Sequence, residues 1–124
     1  MARTAKPKST AKPKSAAELA YDRVALSIRQ FEATLNPSQD MAMGFAGSEA
    51  GSLRIEGMGY SNPDILTFYG RDDDGHKTQL IQHVSQLSVM LHAVPRSDPN
   101  AEPNRIGFRL TAGWLGGESG DGSA

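Results

Sequence analysis

The 124-residue sequence contains no cysteine and no long apolar run. Without cysteine the chain can form no disulfide, no thiolate nucleophile and no cysteine-type zinc site, and the absence is typical of a reducing compartment. A membrane-spanning helix needs about 20 consecutive apolar residues, and the first residues also lack the apolar segment of a secretory signal. We therefore expect a soluble, cytoplasmic protein that does not enter a membrane.

Familiar catalytic and cofactor-binding motifs are also missing from the sequence. Residues 57–59 lack the third glycine of a dinucleotide-binding loop. The histidines His76, His83 and His92 are seven and nine residues apart, whereas a helical zinc pair has the spacing i, i+4. The aspartates of 72–74 are consecutive, whereas a calcium loop takes ligands from alternate positions. We predict no metal site and no cofactor, and we favour a protein that is not an enzyme.

Positive charge is concentrated at the start of the chain, although the formal net charge is only −1. Residues 1–15 carry five bases and no acid, and they contain the pentapeptide Ala-Lys-Pro-Lys-Ser twice, at 5–9 and 11–15. Because prolines break helices and like charges repel, we predict that residues 1–15 form a disordered tail. The glycine-rich residues 116–124 are predicted to form a second one, which leaves a single domain over residues 16–115.

The basic tail offers one alternative function. A run of like charges usually keeps a protein in solution, but five cations could also bind nucleic acid without sequence preference, with a log–log salt slope of about −4.5. The tail contains no aromatic side chain that would stack on bases. Its cations are Arg3, Lys6, Lys8, Lys12 and Lys14.

The first predicted helix begins after Ser15. Ser15 and Glu18 have the spacing of a capping box, in which each side chain accepts a hydrogen bond from the other residue's N–H. Apolar residues then follow at steps of four and three, until Asn36-Pro37 ends the pattern because a residue before proline avoids the α region. This stripe should lie across a sheet, or else pair with a second copy. It consists of Ala17, Tyr21, Val24, Ile28, Phe31 and Leu35.

Four strands are predicted after the first helix. In the first two, apolar residues alternate with small or polar ones, as in strands with one buried face. The third is apolar on both faces and should lie centrally in the sheet. Gly57 and Gly59, which follow the second strand, predict a bulge or a close approach of the backbone, and Asp74-Gly75 predicts a hairpin turn before the fourth. The four strands cover residues 41–45, 53–56, 65–70 and 76–82.

The last third of the chain is ambiguous between helix and strand. Apolar residues at 84, 87, 91 and 94 favour a second helix over 83–94, although the valines in this segment also suit a strand. Alternation over 106–110 predicts a fifth strand. The predicted fold is α+β, in the order α-β-β-β-β-α-β, with a mainly antiparallel sheet of about five strands and two helices on one face.

Three segments resemble an uncharacterised family of small bacterial and phage-borne proteins. They are Leu-Thr-Phe-Tyr-Gly at 66–70, preceded by Gly-Tyr at 59–60, the segment 79–87, and Ile-Gly-Phe-Arg-Leu at 106–110. The resemblance covers residues 53–110, about half of the chain. It implies a bacterial or phage setting, and it implies no activity and no functional residues.

The candidate ligand-binding residues form a polar cluster around the end of the fourth strand. Amides and an imidazole can recognise planar ligands that form hydrogen bonds, such as nucleobases, although the same side chains can simply form a polar surface. The cluster consists of Gln79, Gln82, His83, Gln86 and Arg109.

The sequence therefore predicts a non-enzymatic binding or interaction module. We expect it to be homo-oligomeric, because a core of about 100 residues gains from burial against a copy. Its ligand would be small and polar, such as a nucleotide. The alternatives are a nucleic-acid-associated protein that uses the basic tail, and a hydrolase with an unrecognised site that includes His83.

Overall fold

The computed structural model describes residues 13–45, 51–96 and 98–116. Most of the two predicted tails, residues 1–12 and 117–124, lies outside these ranges. The described elements are the helices α1 (Ala16–Glu32) and α2 (Gly107–Gly116), the strands β1 (Gln39–Phe45), β2 (Ser52–Ser61), β3 (Ile65–Arg71), β4 (Lys77–His83) and β5 (Val89–Pro95), and a 3-10 turn (Val84–Gln86).

The α+β class is confirmed, with five antiparallel strands in one sheet and two helices. The strand order is β4-β3-β2-β1-β5, so β3, which was expected at the centre, is internal, and β2 takes the central position. The predicted order α-β-β-β-β-α-β is found from α1 to β5, with the 3-10 turn in the place of the second helix, and α2 then follows β5. No helix in the described ranges is long and apolar enough to cross a membrane.

The predicted start of α1 and the predicted bulge are both present. The Ser15 side chain accepts a hydrogen bond from the Glu18 N–H at 3.1 Å, which satisfies one of the free donors of the first turn. The register between β2 and β3 shifts between Ile55 and Gly57. At this bulge the strands approach so closely that a Cβ at Gly70 would lie 2.2 Å from the Arg54 carbonyl oxygen. Only glycine fits there without movement of β2.

The core lies between one face of the sheet and the two helices. Paired residues of an antiparallel ladder project from the same face, and successive residues of a strand project from opposite faces. Ring contacts cross the core edge-to-face between Tyr21 and Tyr60, with centroids 5.5 Å apart, and between Phe45 and Phe68, at 5.0 Å. The buried core consists of Tyr21, Val24, Ala25, Ile28, Met41, Met43, Phe45, Leu53, Ile55, Met58, Leu66, Phe68, Ile106 and Leu110.

The prediction of a helix over 83–94 is wrong for most of its length. Only Val84–Gln86 is helical, as a single 3-10 turn, and the competing strand prediction is correct for Val89–Pro95. In β5 the alternate residues Val89 and Leu91 pack against the core, while Met90 faces away from it. Of the four apolar residues at helical spacing, Val84 lies in the turn, Leu87 caps its end, and Leu91 and Val94 belong to the strand.

The strand predicted over 106–110 is a helix in the structure. Ile106 and Leu110, four residues apart, are buried, whereas Phe108 between them is 64% exposed. The first turn of α2 is capped by the buried Glu32, which accepts hydrogen bonds from the Ile106 N–H at 3.1 Å and the Gly107 N–H at 2.7 Å. A cap so distant in the sequence leaves no local pattern that would predict the helix.

Candidate functional site

Among the described residues no helix covers one face of the sheet, and we call this face the open face. The helix α1 packs against the opposite, core-lined face, and α2 packs against α1 and adds Leu110 to the same core. The side chains of Ile81 and Met90 on the open face are 63% and 55% exposed. Polar side chains lie among these apolar ones. The open face includes Arg54, Gly57 and Gly59 of β2, Ile65, Thr67, Tyr69 and Arg71 of β3, Lys77, Gln79, Ile81 and His83 of β4, and Met90 and His92 of β5.

The predicted polar cluster is divided between the two faces of the sheet. Gln79 and His83 lie four residues apart on the open face, with Ile81 between them. Gln82 is paired with Leu66 and therefore projects from the core face. Its Nε2 donates weakly to the Gln86 carbonyl oxygen, at 3.5 Å. The structure thus brings Gln79 together with His83, and Gln82 together with Gln86.

Arg109 lies apart from both pairs. Its Nη2 donates to the Glu56 carbonyl oxygen at 2.5 Å, at the bulge of β2. Gln82 stands in the same row of the sheet as Tyr60 of β2. Glu56 lies four residues before Tyr60, a distance of about 13 Å along the strand. Gln79 stands in the row of Gly57, next to Glu56, but on the open face, whereas α2 with Leu110 belongs to the core side of the sheet. A small ligand bound on the open face beside Gln79 and His83 would therefore not meet Arg109.

His83 forms a hydrogen-bonded network with Asp64 and Ser85. Its Nδ1 lies 2.8 Å from the Ser85 Oγ and accepts the Ser85 N–H at 3.1 Å, while its Nε2 lies 2.9 Å from the Asp64 Oδ2. Because Nδ1 accepts the backbone N–H, the neutral ring carries its proton on Nε2 and donates it to Asp64. The network joins the turn at 62–64 to the 3-10 turn.

Ser85, His83 and Asp64 are linked in series by hydrogen bonds, and they are the residue types of a hydrolytic triad. The arrangement therefore bears on the hydrolase alternative. A triad also needs N–H donors for the oxyanion that forms on the substrate. The Ser85 N–H donates to His83, and the Val84 N–H donates to the Asp64 carbonyl oxygen at 2.9 Å. The N–H groups of Val84 and Ser85 are therefore both engaged, and their bonds tie the 3-10 turn to the turn at 62–64. The hydrolase alternative stays a prediction.

The acidic hairpin loop at 72–76 closes on itself. The Asp72 Oδ1 accepts hydrogen bonds from the N–H groups of Asp74 and His76, at 2.9 and 2.8 Å. The His76 N–H is the largest cause that holds the pKa of the Asp72 carboxyl below its ordinary value, followed by the Asp74 N–H. Side-chain ligand atoms of these three residues lie within 4.8 Å of one another. Loop closure accounts for this arrangement, and we assign no ion to it.

Three cations form a row at one end of the open face. The register places Arg54, Arg71 and Lys77 side by side on β2, β3 and β4. Asp40 lies 3.8 Å from Arg54, and Glu56 lies 3.5 Å from Arg71. Like charges opposite one another destabilise a sheet, and these carboxylates offset two of them. Within the described ranges, Lys77 is the cation of the row without an ion pair.

A polar cleft of about 320 Å³ adjoins this row. It is lined by residues of β1, β2, β3, the 72–76 loop and the segment before α2, so no local motif could have predicted it. The sequence also does not show that the cation row and Gln79 share a face, because that depends on the pairing register. The cleft residues are Asp40, Arg54, Glu56, Arg71, Asp72, Asp73, Gly75 and Asn104.

Of the five tail cations, only Lys14 lies within the described residues. Its ammonium pairs with the Asp22 carboxylate on α1, and this hydrogen bond is the largest cause that raises the pKa of Lys14. Arg3, Lys6, Lys8 and Lys12 lie outside the described ranges. The nucleic-acid alternative therefore stays a prediction.

Comparisons of the chain with protein-family models, curated proteins and solved structures find no match. The resemblance over residues 53–110 to small bacterial and phage-borne proteins likewise stays a prediction. The fold defines a two-layer α+β protein with one helix-covered face and one open face.

Proposed function

We propose that this chain is a non-enzymatic binding module, assembled with copies of itself, that holds a small polar ligand such as a nucleotide on the open face. The observation that carries the proposal is the exposure of Ile81 between the hydrogen-bonding side chains of Gln79 and His83 on that face. Exposed aliphatic groups next to amides and imidazoles suit a flat ligand with apolar faces and a polar edge.

The β2–β3–β4 part of the open face supports a heteroaromatic ligand. One row of the register places Gly57, Tyr69 and Gln79 side by side, and the next places Gly59, Thr67 and Ile81. The two glycines carry no side chain, so a ring can lie low on the sheet against Tyr69. From there the Gln79 amide can donate to and accept from the edge of a base.

The cation row supports a ligand that also carries phosphate. It lies two residues along the strands from the row that contains Tyr69 and Gln79. The distance between these rows, about 7 Å along a strand, is comparable to the separation of base and phosphate in a nucleotide. Lys77 is the cation best placed to bind the anion, since Arg54 and Arg71 already have carboxylate partners.

A calorimetric titration with ribonucleoside monophosphates tests this assignment. Gln79→Ala should weaken binding about tenfold, because a hydrogen-bond donor and acceptor are lost from the site. Gln30→Ala is the matched control, since Gln30 is also an exposed glutamine but lies on α1. The assignment fails if no nucleotide binds, or if both variants bind as tightly as the unaltered chain.

A further inference from the structure

The fifth strand, β5, forms one edge of the sheet and has unusual composition for an edge. It contains Val-Met-Leu-His-Ala-Val-Pro, with no lysine, arginine, aspartate or glutamate. The opposite edge, β4, begins with Lys77 and is mostly polar. Natural proteins protect exposed edges with charges, bulges or covering segments, because an unpaired edge is a template for another strand.

The geometry of β5 also favours pairing. It pairs with β1 over seven consecutive residue pairs, from Gln39↔Pro95 to Phe45↔Val89, without a register shift. The strand therefore has no bulge that would turn its free edge away from a neighbour.

The described contacts of the segment that follows β5 lie on the other side of the strand. The Arg96 N–H donates to the Ser38 carbonyl oxygen at 2.9 Å, and the Asn104 N–H donates to the Asp40 Oδ1 at 3.0 Å. Arg105 donates to carbonyl oxygens of Asn36 and Gln39. The connection to α2 thus runs towards the start of β1 and away from the free edge.

The core is also incomplete at this edge. Val89 and Leu91 face the core but are only half-buried, and Ala93 on the same face is exposed. The helix α1 packs over β1, β2 and β3, so β5 extends past the helical layer. A further strand beside β5 would cover the flank of these apolar side chains.

We propose that two copies of the chain pair through their β5 edges, antiparallel and about a two-fold axis, to form one continuous ten-stranded sheet. A two-fold axis perpendicular to the sheet makes two identical edges antiparallel and keeps the helices of both copies on one side. The open faces of both copies then remain uncovered and adjacent. This inference rests on the homo-oligomeric part of the proposed function. It identifies the paired β5 edges as the interface between copies, which we call the seam.

Single-cysteine scanning tests the seam, because the chain has no cysteine of its own. Each residue of β5 is replaced by cysteine in turn, and mild oxidation is followed on non-reducing gels. A residue on the axis faces its own copy with Cα atoms about 4.5–5.5 Å apart, within the range for a disulfide. One position should cross-link, whereas positions two residues away should not. Cysteine at Gln79 or Ile81 of β4 is the control and should not cross-link.

Sedimentation equilibrium on charge variants gives a second readout. His92→Lys places a lysine on the exposed face of β5 beside the seam, and should weaken self-association at least tenfold. Gln79→Lys, which places the same charge on the same face of β4, should not. Unaltered self-association in His92→Lys, with no cross-link anywhere on β5, would overturn the seam while the homo-oligomer stands. A chain that is monomeric throughout would overturn the seam and the homo-oligomer together, and would leave ligand binding on the open face to be judged by its own titration.

Discussion

Glu32 connects the two helices through its carboxylate. It is buried, and both of its oxygens accept backbone N–H groups from the first turn of α2. Glu32→Ala would leave these two donors buried without a partner, so the free energy of unfolding should fall by about 2–3 kcal/mol. Chemical denaturation measures this loss. Glu56→Ala, which removes an exposed carboxylate paired with Arg71, should change stability by less than about 1 kcal/mol. Equal effects of the two variants would contradict the capping role.

Asp72 makes the hairpin loop sensitive to acid. Its pKa is lowered chiefly because the carboxylate accepts the His76 N–H, so the folded loop favours the charged form. The stabilisation is present above the ordinary aspartate pKa of about 3.9, and it is lost as the pH falls through the lower folded pKa. The amide signals of Asp74 and His76 should therefore shift together in an NMR titration, with a midpoint below about 3.9. Asp72→Asn should abolish the transition, and a midpoint above the ordinary value would contradict this account.

At the scale of elements, local patterns predicted the first part of the chain well. The Ser15 cap and the bulge near Gly57 are determined by neighbours in the sequence. The prediction of a single buried face for β1 is wrong, because Ala42 and Gly44 on its other face are buried as well. The end of α1 was predicted too late, at Leu35 instead of Glu32. A turn follows Glu32, in which the Thr34 Oγ1 donates to the Phe31 carbonyl oxygen at 2.6 Å.

The last elements depend on contacts that the sequence does not display. β5 pairs with β1, about 50 residues earlier, and α2 begins where Glu32 caps it. The candidate site is limited in the same way. The alternation of β4 predicts that Gln79 and His83 share a face, but the register of three strands decides that the cation row lies beside them. Arg109 was placed with the cluster because its segment was predicted as a strand.

The crossing of α1 and α2 depends on Gly107. A Cβ at this position would lie 2.5 Å from the Arg29 Cα, so alanine would force the helices apart. Gly107→Ala should lower the free energy of unfolding by about 1–3 kcal/mol through overpacking, although alanine is the better helix former. Thermal or chemical denaturation checks this. Ala112→Gly, at an exposed position of α2, is the control for helix propensity and should cost about 1 kcal/mol or less. A neutral or stabilising Gly107→Ala would show that the crossing tolerates a side chain.

For the whole molecule, the boundary of the tail can be tested by truncation. Ser15 caps α1 and donates to the Asn62 Oδ1 at 2.6 Å, so the fold includes this residue. Deletion of residues 1–12 should leave the unfolding midpoint unchanged, whereas deletion of 1–15 should lower stability by about 1 kcal/mol through loss of the cap.

Deletion of residues 1–12 also tests the nucleic-acid alternative, because it leaves the cap of α1 in place. It removes Arg3, Lys6, Lys8 and Lys12, so binding through the tail should disappear and a salt slope of about −3.6 should be lost with it. Binding that survives the deletion would place any nucleic-acid contact on the folded domain.

The proposed function requires that copies of this chain assemble and carry a small polar ligand on their open faces. Native mass spectrometry of the gently purified protein measures the number of subunits and any retained mass together. We expect a dimer, or a higher even-numbered assembly, with a defined additional mass that is lost in Gln79→Ala. A bare monomer that keeps no mass and binds no nucleotide when one is added would contradict it.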